Sequence, residues 1–231
     1  MLRLYYMDTS CFENSPLFME TYSKLSQHRK DKIDFYYFKK DRFLSMGAGF
    51  LLDFVLHSYC LEEKNSKFSY VKNGKPCLKN CPVFFNLSHS GSFAACAFSE
   101  HEIGIDIERI QIPEHALMER VCRPRELTYL RSLQGQALSS AFAKLWTIKE
   151  SYMKYLGTGL TLDPLRLEID FHEPCSLIHD GTPVQIYFKT YALPYYQLSL
   201  CSEANDFPSA PTLIKLTETH DFNQGGVKWN L

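Results

Sequence analysis

Glu102-Ile103-Gly104-Ile105-Asp106-Ile107-Glu108 carries its apolar residues at every second position, the period of a β-strand. Side chains two apart on a strand share a face. Ile103, Ile105 and Ile107 therefore line one side, suited to a core, and Asp106 and Glu108 line the other. Two carboxylates on one face repel each other unless a cation lies between them. An isolated Asp-x-Glu pair is most often a solvated outer face, but here the strand that carries it is strongly apolar. Two more short runs precede it, residues 83–87 and 92–98, with turn residues between, and they predict neighbouring strands.

Helical patterns lie on both sides of this region. Upstream, residues 41–61 place Phe43, Met46, Phe50, Leu51, Phe54 and Val55 at helical spacing, which predicts a core helix. Residues 14–26 suggest a shorter helix, and residues 2–7 an opening strand. Residues 65–80 are polar and turn-rich, with Asn73-Gly74 and Lys75-Pro76 marking a turn. Downstream, residues 113–133 read as helix in two pieces broken at Pro124. The clearest helix is 139–156: Ser139 or Ser140 can cap it, Phe142, Leu145, Trp146, Ile148 and Met153 give it an apolar side, and Gly157 stops it. Strands are expected at 165–169, 184–188 and 195–201. After Ser202 a surface strand and a loose end are expected.

The 139–156 helix supplies a third acid. Glu150 and Lys154 are four residues apart, on one helical face, where a surface ion pair is the bland reading. If that face meets the strand, Asp106, Glu108 and Glu150 form an all-oxygen donor set for magnesium or manganese rather than zinc, with Lys154 beside any bound phosphate. Phe85-Asn86-Leu87-Ser88-His89-Ser90-Gly91 sets a serine next to a histidine. Neighbours on an extended chain point apart, so this is a poor nucleophile–base pair and a better anion site. Residues 24–42 hold seven Lys or Arg against three Asp, a local positive field that includes Arg29 and Lys32.

The chain as a whole adds exclusions. Its 231 residues make one large domain or two small ones packed together. A net charge of −1 gives no global attraction to nucleic acid or a membrane, so an anion site must be a local cluster. The most apolar stretch, 46–56, is too short to span a bilayer and contains Asp53. The first ten residues lack the apolar core of a signal peptide. Eight scattered cysteines without a C-x-x-C pair suit reduced, buried thiols in a cytoplasmic setting. Cys77 and Cys81 invite zinc, but no second pair follows at suitable spacing.

Taken in order, Gly74-Lys75-Pro76, Phe85 to Ser90, Gly104 to Glu108 and Leu145-Trp146-Thr147-Ile148-Lys149-Glu150-Ser151-Tyr152-Met153-Lys154 resemble the 4'-phosphopantetheinyl transferases of the larger, surfactin-synthetase-activating type. The resemblance covers most of the chain. It implies an α+β fold of two similar halves related by a pseudo-two-fold, 1–104 binding coenzyme A and 105–231 carrying the metal and the catalysis, with the active site between them. It implies transfer of the phosphopantetheine arm of coenzyme A to a serine of an acyl or peptidyl carrier protein, releasing 3',5'-ADP, by a monomeric enzyme. By position, Asp106, Glu108 and Glu150 match the metal ligands, Glu150 also the base, and Lys154 the residue that steadies phosphate charge or protonates the leaving side. Lys75 and Pro76 match the adenine border, Ser88 and His89 the coenzyme A phosphate contacts, and Arg29, Lys32 and Ser45 the 3'-phosphate contacts. Glu126 matches a family acid. Relatives often carry an Arg where Leu44 stands, and Arg42 is the candidate replacement. The rival readings are a metal-dependent nuclease and a non-catalytic coenzyme A or carrier-binding module.

Overall fold

The computed structural model describes residues 2–13, 15–57, 59, 66–70, 74–79, 81, 83–170 and 176–216. Asn73, Cys60, Cys175 and the expected loose end beyond residue 216 lie outside the described residues. In chain order the elements are β1 (Arg3–Asp8), α1 (Leu17–Lys24), α2 (Gln27–Phe35), α3 (Lys39–His57), β2 (Phe68–Tyr70), β3 (Pro76–Leu78), β4 (Phe84–Ser90), β5 (Phe93–Ser99) and β6 (Ile103–Arg109). Then come α4 (His115–Val121), α5 (Pro124–Arg131), α6 (Gly135–Tyr155), β7 (Leu167–Asp170), β8 (Ser176–His179), β9 (Thr182–Pro183), β10 (Tyr187–Leu193), β11 (Tyr196–Ser202) and β12 (Thr212–Leu213).

Two larger sheets organise the molecule. One runs β12-β1-β5-β4, the other β10-β11-β6; β2-β3 and β7-β8-β9 are small satellites. The long helix α3 packs its apolar side on the first sheet, with Met46, Phe50, Leu51 and Val55 buried against Met7, Ala94, Cys96 and Phe98. The slightly longer α6 covers β6 and β11. This repetition, one long helix on one sheet, is the α+β two-fold plan. A third core joins the two units: Ile103, Ile105 and Ile107, all fully buried, meet Leu2, Leu4, Ala95 and Ala97 of one sheet and Leu198 and Leu200 of the other. Burying each isoleucine contributes roughly 1.5–3 kcal/mol.

The opposite face of β6 lies under α6, and Gly104 is what permits the close approach. A Cβ there would come within 1.9 Å of the Ser151 carbonyl oxygen and 2.5 Å of the Tyr155 nitrogen. The helix itself begins at Gly135, four residues before the expected cap. Ser139 is thus one turn inside, its hydroxyl donating to the Gly135 carbonyl at 3.2 Å, a bond helical Ser makes readily. Other expectations shift in similar ways. The 65–80 stretch contains the β2–β3 hairpin, β8 was not foreseen, and the strand expected at 184–188 starts at Tyr187. The expected surface strand near the C-terminus is β12, which pairs in parallel with β1 and delivers Ile214 and Leu216 into the first core.

Between the two large sheets the backbones of β4 and β6 are not paired; side chains bridge them. Asn86 Oδ1 accepts from the Ile105 amide at 2.9 Å, Ser88 Oγ from the Ile107 amide at 3.3 Å, and Ser90 Oγ from the Arg109 amide at 3.2 Å. Steps of two residues on each strand keep the ladder in register.

Candidate active site

β6 and α6 present their acids to each other across the Gly104 contact. Lys154 Nζ donates to Asp106 Oδ1 at 2.6 Å and to Ser88 Oγ at 2.8 Å, and lies 3.8 Å from Glu150 Oε2. Ser88 Oγ donates to Asp106 Oδ1 at 2.8 Å, and Ser90 Oγ to Glu108 Oε2 at 2.6 Å. Asp106 is almost wholly buried, and its Oδ2 has no hydrogen-bond partner among the described residues.

The electrostatics follow from crowding. Burial, then the charges of Asp106 and Glu108, push the Glu150 carboxyl up to about 7, with Lys154 opposing. Burial and Asp106 push Glu108 up to about 6, against the Ser90 hydrogen bond and Lys154. Burial alone would lower the Lys154 ammonium, but Asp106, Glu150 and Glu108 outweigh it and hold it above the usual lysine value. When ionised, three carboxylates against one ammonium leave the cluster two positive charges short. The ammonium pairs with Asp106 and Glu150, and among the described residues no three His, Cys, Asp or Glu side chains are placed so as to hold a metal ion as they stand.

The acids line a cleft of about 410 Å³ whose wall also includes Arg29, Lys32, Ser45, Pro76, Asn86, Ser88 and His89. Arg29 and Lys32 come from α2, whose first turn is capped by Ser26 accepting from the Arg29 amide at 3.1 Å. Burial, then the neighbouring Arg29 charge, lowers the Lys32 ammonium. Burial, then Lys154 and Lys32, lowers the His89 imidazole. Ser45, on α3, has a buried hydroxyl with no partner among the described residues. The cleft thus combines cationic and hydrogen-bonding groups that suit phosphates with three acids and a lysine.

Of the residues singled out in the sequence, Lys75 stands apart from this wall. Its ammonium pairs with Glu102 and donates to the carbonyls of Ile103 at 3.0 Å and Tyr155 at 3.1 Å, tying the β2–β3 hairpin to the start of β6 and the end of α6. Pro76 next to it does line the cleft. Arg42 also lies elsewhere, donating to Asp34 Oδ1 at 2.9 Å and stacking over Phe18. Glu126 is buried 2% exposed beneath α6: it accepts from Lys149 Nζ at 2.7 Å, the Arg123 amide at 2.7 Å and the Ile169 amide at 2.7 Å. Sequence reasoning missed Lys149, whose signal was a lysine four residues after Leu145 on the buried side. It also missed Asn86 and Ser90, whose signal was the polar alternation Asn86, Ser88, Ser90 within a strand.

Comparison with known proteins places the same residues in context. Residues 102–201 match the family described as the 4'-phosphopantetheinyl transferase superfamily, and residues 14–101 match 4'-phosphopantetheinyl transferase, N-terminal. The chain is 31% identical to 4'-phosphopantetheinyl transferase Sfp of Bacillus subtilis (strain 168) over 85% of this chain and 90% of the relative. It is 32% identical to 4'-phosphopantetheinyl transferase ffp of Bacillus subtilis over 83% and 88%. Against 4'-phosphopantetheinyl transferase gsp of Aneurinibacillus migulanus, identity is 30% over 78% and 77%.

Proposed function

The chain belongs to the 4'-phosphopantetheinyl transferases, and on that premise we propose how its cleft moves the phosphopantetheine arm of coenzyme A onto a serine of an apo carrier protein, releasing 3',5'-ADP. The observation that carries the reading is that one cleft is lined both by Arg29, Lys32, Ser45 and His89, groups that suit phosphates, and by Asp106, Glu108, Glu150 and Lys154. Transfer of this kind is catalysed mainly by positioning and charge neutralisation.

In this scheme Arg29, Lys32 and Ser45 hold the 3'-phosphate end and His89 a phosphate of the diphosphate. Ser88 already serves Asp106, Lys154 and the Ile107 amide, so it reaches a phosphate only by giving up one of them. Pro76 borders the adenine, and Lys75 supports it from behind by anchoring the hairpin. A bond forms between the serine oxygen and the phosphorus bearing the arm, while the bridging P–O bond to the adenosine side breaks. Glu150 takes the serine proton, directly or through water; its carboxyl, raised toward neutrality, suits that role. Lys154 steadies the charge on the phosphate.

The donor set fits a magnesium or manganese ion: oxygen ligands only, a shortfall of positive charge, and an orphaned buried oxygen on Asp106. Asp106, Glu108 and Glu150 would hold it, and it would neutralise diphosphate charge. The division of labour, 1–104 for coenzyme A and 105–231 for metal and catalysis, agrees with where these side chains reside. We also assign the enzyme to the cytoplasm as a monomer. Two findings support the location: no described helix is long and apolar enough to cross a membrane, and the six described cysteines are free thiols.

The test is to incubate the protein with coenzyme A, magnesium and several purified apo carrier proteins, then weigh each carrier. A gain of one phosphopantetheine is expected. No gain on any carrier overturns the reading, and cleavage of DNA under the same conditions points to the nuclease instead.

A further inference from the structure

Asn86, Ser88 and Ser90 carry the rungs of the side-chain ladder between β4 and β6, and two of the rungs do more than satisfy amides. Each serine accepts from a β6 amide and donates to the carboxylate one residue earlier: Ser88 to Asp106 Oδ1 and Ser90 to Glu108 Oε2. A hydroxyl has one proton. With the Arg109 amide occupying an oxygen lone pair, the Ser90 proton is aimed at Glu108. The consequence is a repeated motif at a two-residue step: one oxygen of each acid is held by a serine, and the other is left over. For Asp106 the remaining Oδ2 is buried without a partner among the described residues; for Glu108 no hydrogen bond to Oε1 is formed among them.

We propose that Ser90 is a positioning residue for the divalent-cation site, fixing the Glu108 carboxylate so that its second oxygen faces the cleft. The idea rests on the proposed metal-dependent transfer and goes beyond it, because Ser90 is not among the residues that line the cleft. Fixing a flexible glutamate in advance removes rotamer freedom that ion binding would otherwise have to remove. Groups that orient metal-bound carboxylates typically change metal affinity by roughly 10–100-fold when removed. The device lies at the junction of the two units, since Ser90 belongs to the first sheet and Glu108 to the second. The turn that follows is locked from the second unit as well. Tyr196 Oη accepts from the Ser92 amide at 2.9 Å, and Gly91, at φ +62°, lies so close to that hydroxyl that a Cβ would fall 2.2 Å from it.

The experiment compares wild type, Ser90→Ala, Ser90→Thr and Ser90→Cys by titrating Mn²⁺ into the full-length protein with coenzyme A and reading free Mn²⁺ by electron paramagnetic resonance, alongside melting temperature. Ser90→Ala is expected to weaken Mn²⁺ binding about 10-fold or more. Ser90→Thr, which keeps the hydroxyl, is expected to stay near wild type, and Ser90→Cys, a weaker donor, to fall between. Kinetically, the magnesium needed for half-maximal rate rises in Ser90→Ala while KM for coenzyme A holds. Unchanged Mn²⁺ binding in Ser90→Ala overturns the proposal and leaves the transferase reading standing. Equal losses in Ser90→Ala and Ser90→Thr also overturn it, since packing rather than the hydroxyl would then be responsible. If wild type with coenzyme A binds no Mn²⁺, the metal site and this proposal fall together. Should Ser90→Ala not fold, the ordering of Thr and Cys against wild type decides.

Discussion

Glu150 and Lys154 sit one helical turn apart in the same crowd of charge and respond in opposite senses, the acid toward neutrality and the base toward charge. The sign of the pH effect follows. In metal-free protein, Glu150 binds a proton up to about pH 7, whereas an unfolded glutamate releases it near 4.5. Between those values the native state holds the extra proton, so stability falls as pH rises through that window. Glu150→Gln, neutral at every pH, is expected to melt above wild type at pH 7.5 in chelator and to converge on it toward pH 5; equal melting at pH 7.5 would count against the buried-acid picture. Asp106→Ala is expected to lower transfer roughly 100-fold or more without loss of fold, checked by single-carrier mass kinetics and circular dichroism. His89→Ala is expected to raise KM for coenzyme A with a smaller change in kcat, and an unchanged KM removes His89 from the phosphate wall.

α6 carries function on one face and structure on another. Lys149, adjacent to Glu150, is fully buried and gives its protons to Glu126 Oε2, the Val121 carbonyl at 2.8 Å and the Pro164 carbonyl at 3.3 Å. Together with the bonds from the Arg123 and Ile169 amides to Glu126, this pair clamps α6 to α5 and β7. Removing one partner leaves the other charged and buried, which costs about 3–5 kcal/mol. Lys149→Ala is therefore expected to lose that much stability in urea melts, and Lys149→Met with Glu126→Gln, which removes both charges and keeps an acceptor oxygen for a backbone amide, to recover part of it. A loss below about 1 kcal/mol in the single variant would mean that the pair is not essential to the clamp.

At the scale of the whole molecule, the two units are interdependent. Leu2, Leu4, Ala95 and Ala97 bury against Ile103, Ile105 and Ile107, and the chain returns late in its course to add β12, Ile214 and Leu216 to the first sheet and core. A fragment ending at residue 104 would expose this apolar face. It is expected to give no cooperative calorimetric transition, while the full chain unfolds in one; a sharp transition in the fragment would show that the halves are autonomous.

The period-2 isoleucines, the Asp106 and Glu108 face, the broken helix at Pro124 and the Glu150–Lys154 spacing were all legible in the chain, because periodicity and local sterics act between near neighbours. The start of α6 at Gly135 was not, since the Ser139 hydroxyl bonds back to the Gly135 carbonyl within the helix instead of capping it. Nor were the placement of Lys75 behind the hairpin, the burial of Lys149 on Glu126, or the Ser88 and Ser90 rungs. Each depends on which distant groups meet, and a side chain's partners are set by the three-dimensional approach of strands and helices. The sequence by itself determined the chemical inventory of the site: three acids, a lysine and a set of cationic and hydroxyl groups suited to phosphates. Only the tertiary structure decided which of those groups touch, because the Gly104 contact brings β6 and α6 together and the β4 serines bridge the two sheets.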